Sequence, residues 1–157
     1  MTPWMKRLVL GLGILAASAA WVEPVLAQQP QAQEAPAGKS NITIRVVHAT
    51  QSGRVDPALK AVEAQLKFTR FTGFAQLSSN TAQVATGAET AVPVPGGRRL
   101  RVELLSRTPT QARARVRLFE AGEPLADSTQ VVPRGKTILI GGPKFDGGVL
   151  LLLVTVN

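Results

Sequence analysis

The chain of 157 residues has no cysteine, no tyrosine and a single histidine, His48. Without cysteine there is no disulfide, no thiol nucleophile and no Cys/His zinc site. The thiol that anchors a bacterial lipoprotein is missing too. The lone histidine has no acid or nucleophile at a motif spacing, since Asp56, Asp127 and Asp146 are scattered. It is read as a strand-end histidine that meets a backbone group. Both tryptophans, Trp4 and Trp21, fall in the first 27 residues, so five phenylalanines are the only aromatics beyond them. That scarcity disfavours base stacking on single-stranded nucleic acid, and sugar stacking with it. Acidic groups are also few, 10 against 18 Lys and Arg, for a net charge of +8. A basic excess of this size favours anionic partners. An apolar fraction of 45% with 18% charged residues is a globular balance, and the length suits one domain.

No hydrophobic run is long enough for a membrane-spanning helix of ~20 residues. The longest charge-free apolar stretch near the start, Leu8 to Ala20, follows Lys6-Arg7 and precedes WVEPVLA. This is the three-part layout of a secretory signal peptide. Val25 and Ala27 suit the −3 and −1 positions of a cut before Gln28, and Ala17 and Ala19 offer a second cut. The expectation is an exported bacterial envelope protein, periplasmic or secreted, that loses residues 1–27 and keeps no transmembrane span. Residues 28–40, QQPQAQEAPAGKS, lack apolar periodicity and read as a flexible tether. A single β-rich domain is expected over 41–157.

Within that domain Ile42, Ile44 and Val46 alternate, which predicts a strand over 42–49. Asp56-Pro57 reads as a helix start, and Val55, Leu59, Val62 and Leu66 recur on one helical face. The spacing predicts an α-helix over 57–68. FTGFAQL (71–77) suits a strand. Ser78-Ser79-Asn80 reads as a break, with short strands at 82–85 and 90–94. The segments 98–105 and 111–119 alternate clearly and predict a hairpin closed by 106–110. A further strand is expected near 125–132. Two more, 137–140 and 149–156, are joined by a loop GGPKFDGG (141–148). The run VLLLLV (149–154) is apolar at every position, as in a central strand covered on both faces. The fold class expected is α+β: a mostly antiparallel β-sandwich with one α-helix near the N-terminus of the mature domain. Leu59, Val62 and Leu66 are expected in one core with Val102, Val116, Ile138, Ile140 and Leu152.

Several motifs weaken on inspection. Gly135-Lys136-Thr137 lacks the earlier glycine of a phosphate loop, because position 130 is Gln130, and a strand rather than a helix follows. Asn41-Ile42-Thr43 is only a three-residue sequon. Phe145, flanked by paired glycines, reads as part of an irregular hairpin. Val132 to Gly142, VPRGKTILIGG, resembles a strand–turn–strand run of outer-membrane secretins. The resemblance implies a hairpin at these residues and carries over no functional residue.

The arginines are the most specific feature. Strand alternation puts Arg99, Arg101 and Glu103 on one face, with Arg113, Arg115 and Arg117 beside them. A symmetric hairpin would set Glu103 against Arg113, Arg101 against Arg115 and Arg99 against Arg117. Like charges opposite one another cost stability, and one glutamate cannot neutralise five arginines. The face is therefore either a solvated surface or a docking patch for carboxylate or phosphate groups, which the guanidinium fork matches at two points. No catalytic constellation, cofactor motif or metal-ligand spacing is present in the sequence. The function expected is a small non-catalytic binding or assembly module for another envelope protein. The alternative is binding of an anionic envelope polymer or lipid headgroups through Arg99, Arg101, Arg113, Arg115 and Arg117.

Overall fold

The computed structural model describes residues 38–157. The expected signal segment, 1–27, and most of the tether lie outside the described residues. Eight strands follow in order: β1 (Lys39–Thr50), β2 (Gly73–Ala85), β3 (Glu89–Val94), β4 (Arg98–Arg107), β5 (Gln111–Glu120), β6 (Glu123–Pro133), β7 (Thr137–Phe145) and β8 (Gly148–Val156). They form two four-stranded antiparallel sheets. Sheet I has the order β2–β1–β8–β7 and sheet II the order β3–β4–β5–β6. Consecutive strands are neighbours except at β2–β3 and β6–β7, where the chain changes sheet. The first and last strands lie side by side in the middle of sheet I. Among the described residues no helix is long and apolar enough to cross a membrane.

Alternation decides which side chains are buried. Ile42, Ile44 and Val46 of β1 join Leu100, Val102 and Leu104 of β4, Ala112, Ala114, Val116 and Leu118 of β5, and Leu150, Leu152, Val154 and Val156 of β8 in one buried cluster. The two sheets therefore share a core, which is what period-two apolar positions require. The other two leucines of β8, Leu151 and Leu153, belong to a second cluster with Val47, Ala49, Phe74, Leu59, Val62 and Leu66. β8 is central and covered on both faces, and its unbroken apolar run follows from that. Leu59, Val62 and Leu66 thus pack on the far side of sheet I, not in the core with Val102 and Val116 as expected. Ile138 and Ile140 are only partly buried, against the first cluster.

The helix is shorter than its spacing predicts. A 3-10 helix, Pro57–Val62, runs into a single α-helical turn, α1 (Glu63–Leu66). Asp56 caps it as expected: its Oδ1 accepts from the Ala58 N–H at 2.9 Å. The step from Leu59 to Val62 is three residues, one turn of 3-10 helix, and the step to Leu66 is four, about one turn of α-helix. Both steps keep the apolar side chains against the sheet, so an α-like pattern survives a change of helix type.

Three further expectations are corrected. Ser78-Ser79-Asn80 does not break the chain. β2 is continuous from Gly73 to Ala85 and absorbs an irregularity opposite Val46/Val47. As an edge strand of sheet I it can present polar residues to solvent. The eight-residue loop 141–148 reduces to Asp146-Gly147, whose φ angles of 41° and 71° are those of a two-residue type I′ hairpin turn. Phe145 lies in this irregular hairpin, as expected. It packs against the main core and meets His48 edge-on, ring centroids 5.4 Å apart. Lastly, residues 132–142 do form strand–turn–strand, but the two strands lie in opposite sheets and are not a hairpin.

Candidate functional site

The outward face of sheet II carries the arginines. Leu100, Val102, Leu104, Ala112, Ala114, Val116 and Leu118 are all buried, so Arg99, Arg101, Arg113, Arg115 and Arg117 project from the opposite side. The register differs from the symmetric hairpin. Arg101 lies opposite Arg117, Glu103 opposite Arg115 and Arg99 opposite Phe119. Pairing continues to Arg107 and Ala112 around a shorter turn, which advances the register by three residues, and the irregularity between Leu104 and Ser106 takes one back. The turn beyond is held by the Thr108 hydroxyl, which accepts from the Gln111 N–H at 3.1 Å. A shift of two residues keeps every side chain on its expected face.

The flanking strands supply carboxylates that the hairpin alone lacks. Glu89 of β3 reaches Arg117 at 2.6 Å and Arg101 at 3.5 Å. Glu103 reaches Arg117 at 3.4 Å. Asp127 of β6 takes Arg115 in two-point geometry, with Nε of Arg115 donating to Oδ1 at 2.8 Å. The hydrogen bond from Arg115 holds the Asp127 carboxyl below its ordinary value, and the same contact raises Arg115. Arg115 and Arg117 are thus hydrogen-bonded to carboxylates, while Arg101 lies near Glu89 without a hydrogen bond to it. Arg101 and Arg117 sit opposite each other because Glu89 and Glu103 lie beside them.

Arg99 and Arg113 differ. Among the described residues neither has a carboxylate within 4.0 Å. They stand at opposite ends of the face. Arg113 is flanked by Ser106 and Val131, and Arg99 by Pro93 and Phe119. The structure therefore does not bring the five predicted residues into one site. It separates a neutralised centre from two free ends.

The Arg99 end is concave. A depression of about 580 Å³ is lined by Arg98, Arg99, Arg101 and Phe119, with Gly97 and Gly122 from the β3–β4 and β5–β6 turns among its rim residues. The Arg101 guanidinium carbon lies 4.9 Å from the centroid of the Phe119 ring, a cation–π contact. Arg98 is largely buried, with 15% of its side chain exposed. It holds Glu120 at 2.7 Å and donates to the Pro95 carbonyl oxygen at 3.3 Å. Among the described residues its Nε has no hydrogen-bond partner. The lining contains no hydroxyl, imidazole or carboxylate. Its chemistry is that of guanidinium donors around an aromatic ring, which suits anionic groups, and the lining offers no nucleophile or base. Sequence reasoning missed Arg98 and Phe119. Phe119 was within reach, since it continues the outward series Arg113, Arg115, Arg117 at period two.

Elsewhere, His48 Nε2 lies 3.0 Å from the Phe145 carbonyl oxygen, the backbone contact expected of it. Among the described residues no three His, Asp or Glu side chains are grouped to hold a metal ion. In comparison with known proteins, no family model, no curated protein and no solved structure matches the chain.

Proposed function

We propose that the chain is a non-catalytic binding module of the bacterial envelope, a β-sandwich that docks another envelope protein through the Arg99 end of sheet II. The observation that carries this reading is the contrast along the arginine face. Its centre is neutralised by Glu89, Glu103 and Asp127, while among the described residues Arg99 has no carboxylate within 4.0 Å and borders a depression built on Phe119. A repeating anionic polymer is best matched by a row of free cations. One concave cluster is better matched by a discrete anionic group at a protein interface, where arginine and aromatic residues are the common anchors. Export rests on the N-terminal charge and hydropathy pattern.

The competing reading, an anionic polymer or lipid headgroups held along the whole face, draws on the net charge of +8 and on Arg113 at the far end. A photoreactive residue in place of Thr129, exposed on the same face, separates the two. In the cells that make this protein it is expected to cross-link one protein partner, and Arg99→Ser with Arg101→Ser is expected to abolish the adduct. A cross-link profile that is the same with and without the two arginines contradicts docking at this end. Adducts confined to polymer or lipid favour the competing reading.

A further inference from the structure

The geometry of the depression points to the chemistry of what fills it. Arg99 and Arg101 are alternate residues of β4, so they project from one face with a repeat of about 6.6–6.8 Å. An extended peptide has the same repeat. Both guanidinium groups keep free donors. Arg99 has no carboxylate within 4.0 Å among the described residues, and Arg101 has Glu89 only at 3.5 Å, because Arg117 holds that carboxylate at 2.6 Å. Arg101 is also fixed in place by its stack on Phe119, which lowers the ordering cost of any ion pair it makes. The two side chains leave β4 two residues apart, and Arg101 is held over Phe119, the residue opposite Arg99. Two separate carboxylates fit them better than one phosphate. The neighbouring edge strand, β3, carries Pro93 opposite Arg99. Proline has no N–H to offer an added strand, so a peptide arriving here is steered onto the face of the sheet rather than its edge.

We infer that the depression receives an extended acidic segment of a partner protein, with carboxylates at alternate positions seated on Arg99 and Arg101. This rests on the docking role proposed above and names the partner's chemistry. Arg98, tied to Glu120, shapes the wall, and the Phe119 ring, opposite Arg99 and under Arg101, forms the floor.

Two end-blocked peptides of one composition test it, Ser-Glu-Thr-Glu-Ser and Ser-Glu-Glu-Thr-Ser. Extended, the first places both carboxylates on one side and the second places them on opposite sides. Titrations of the isotope-labelled protein followed by NMR are expected to shift the resonances of Arg99, Arg101 and Phe119. The alternating peptide is expected to bind at least about threefold more tightly, the worth of one exposed ion pair. Arg99→Ser and Arg101→Ser are each expected to remove that preference, while Arg70→Ser, in the loop before β2, removes the same charge and leaves it intact. Equal affinities for the two peptides overturn the inference. So does tighter binding of inorganic phosphate, or of phosphatidylglycerol vesicles, at the same resonances. If the peptides fail while the Thr129 cross-link still depends on the two arginines, only the alternating-carboxylate inference falls. If the cross-link no longer depends on them, the docking reading falls as well.

Discussion

Arg101 on β4 stacks over Phe119 on β5, its guanidinium carbon 4.9 Å from the ring centroid, although the residue directly opposite it in the ladder is Arg117. The contact is diagonal, and it turns one arginine away from a like charge and towards an aromatic face. The same ring lies directly opposite Arg99. Phe119 therefore links the two arginines that the docking account needs.

Phe119→Leu is expected to leave the fold intact, because the ring projects from the outward face of sheet II and the main core does not include it. The loss of the stack costs about 0.5–1 kcal/mol in stability. Binding of an acidic peptide is expected to weaken although every arginine is retained. Thermal unfolding and a peptide titration on one sample give both quantities. Unchanged peptide affinity contradicts the role given to the ring.

The pair Arg115–Asp127 gives a pH dependence of fixed sign. Asp127 is lowered in the folded chain by the hydrogen bond from Arg115. Its contribution is therefore present above the ordinary carboxylate value of about 3.9, and is lost as pH falls through the lowered folded value. Asp127→Asn is expected to be less stable than wild type at neutral pH, with the gap closing in strong acid and narrowing in high salt, since the pair is exposed. Denaturant melts of both proteins at neutral pH and at about pH 2 check this. A gap that is the same at both pH values contradicts it. Arg115→Glu, by contrast, would place a third carboxylate beside Asp127 and Glu103, so reversal of this arginine is expected to destabilise the sheet rather than relieve it.

The two-faced burial of β8 predicts that neighbouring residues matter equally. Leu152 is 1% exposed in the core between the sheets, and Leu151 is 4% exposed under the helix. Leu152→Ala and Leu151→Ala are each expected to cost about 2–5 kcal/mol. In a strand with one solvated face the second change would be nearly silent. A loss below about 1 kcal/mol for Leu151→Ala contradicts the packing of Leu59, Val62 and Leu66 on that face.

The export reading predicts a mature N-terminus at Gln28. Mass spectrometry of the envelope fraction is expected to show residues 1–27 removed. A retained Met1 there contradicts the signal-peptide reading and favours an uncleaved anchor.

The parts of this fold that were legible in the sequence are those that depend on alternation. Leu100, Val102, Leu104 and Ala112 to Leu118 point where period two places them, and VLLLLV lies under two layers as its composition implies. What was not legible depends on single insertions or on distant strands. A shorter turn and one irregularity after Leu104 together moved the hairpin register by two residues, which alternation cannot detect because the faces stay the same. Glu89 and Asp127 lie 28 residues before Arg117 and 12 residues after Arg115, so their pairing required the positions of β3 and β6. The 3-10 helix escaped because Leu59, Val62 and Leu66 satisfy either helical repeat. The Asp146-Gly147 turn carried a recognisable dipeptide, but the glycines around it gave the segment the look of a loop.

The Arg99 end of sheet II is proposed as a docking site for a protein. The most direct measurement is the affinity of purified wild type and of Arg99→Ser/Arg101→Ser for the protein that cross-links at Thr129, taken at low and at physiological salt. The double variant is expected to bind at least about tenfold more weakly, the sum of two partly exposed ion pairs, and the wild-type affinity to fall only modestly with salt. An affinity that is unchanged by the double substitution, or a wild-type interaction that vanishes as the Debye length shortens to about 8 Å, would contradict it.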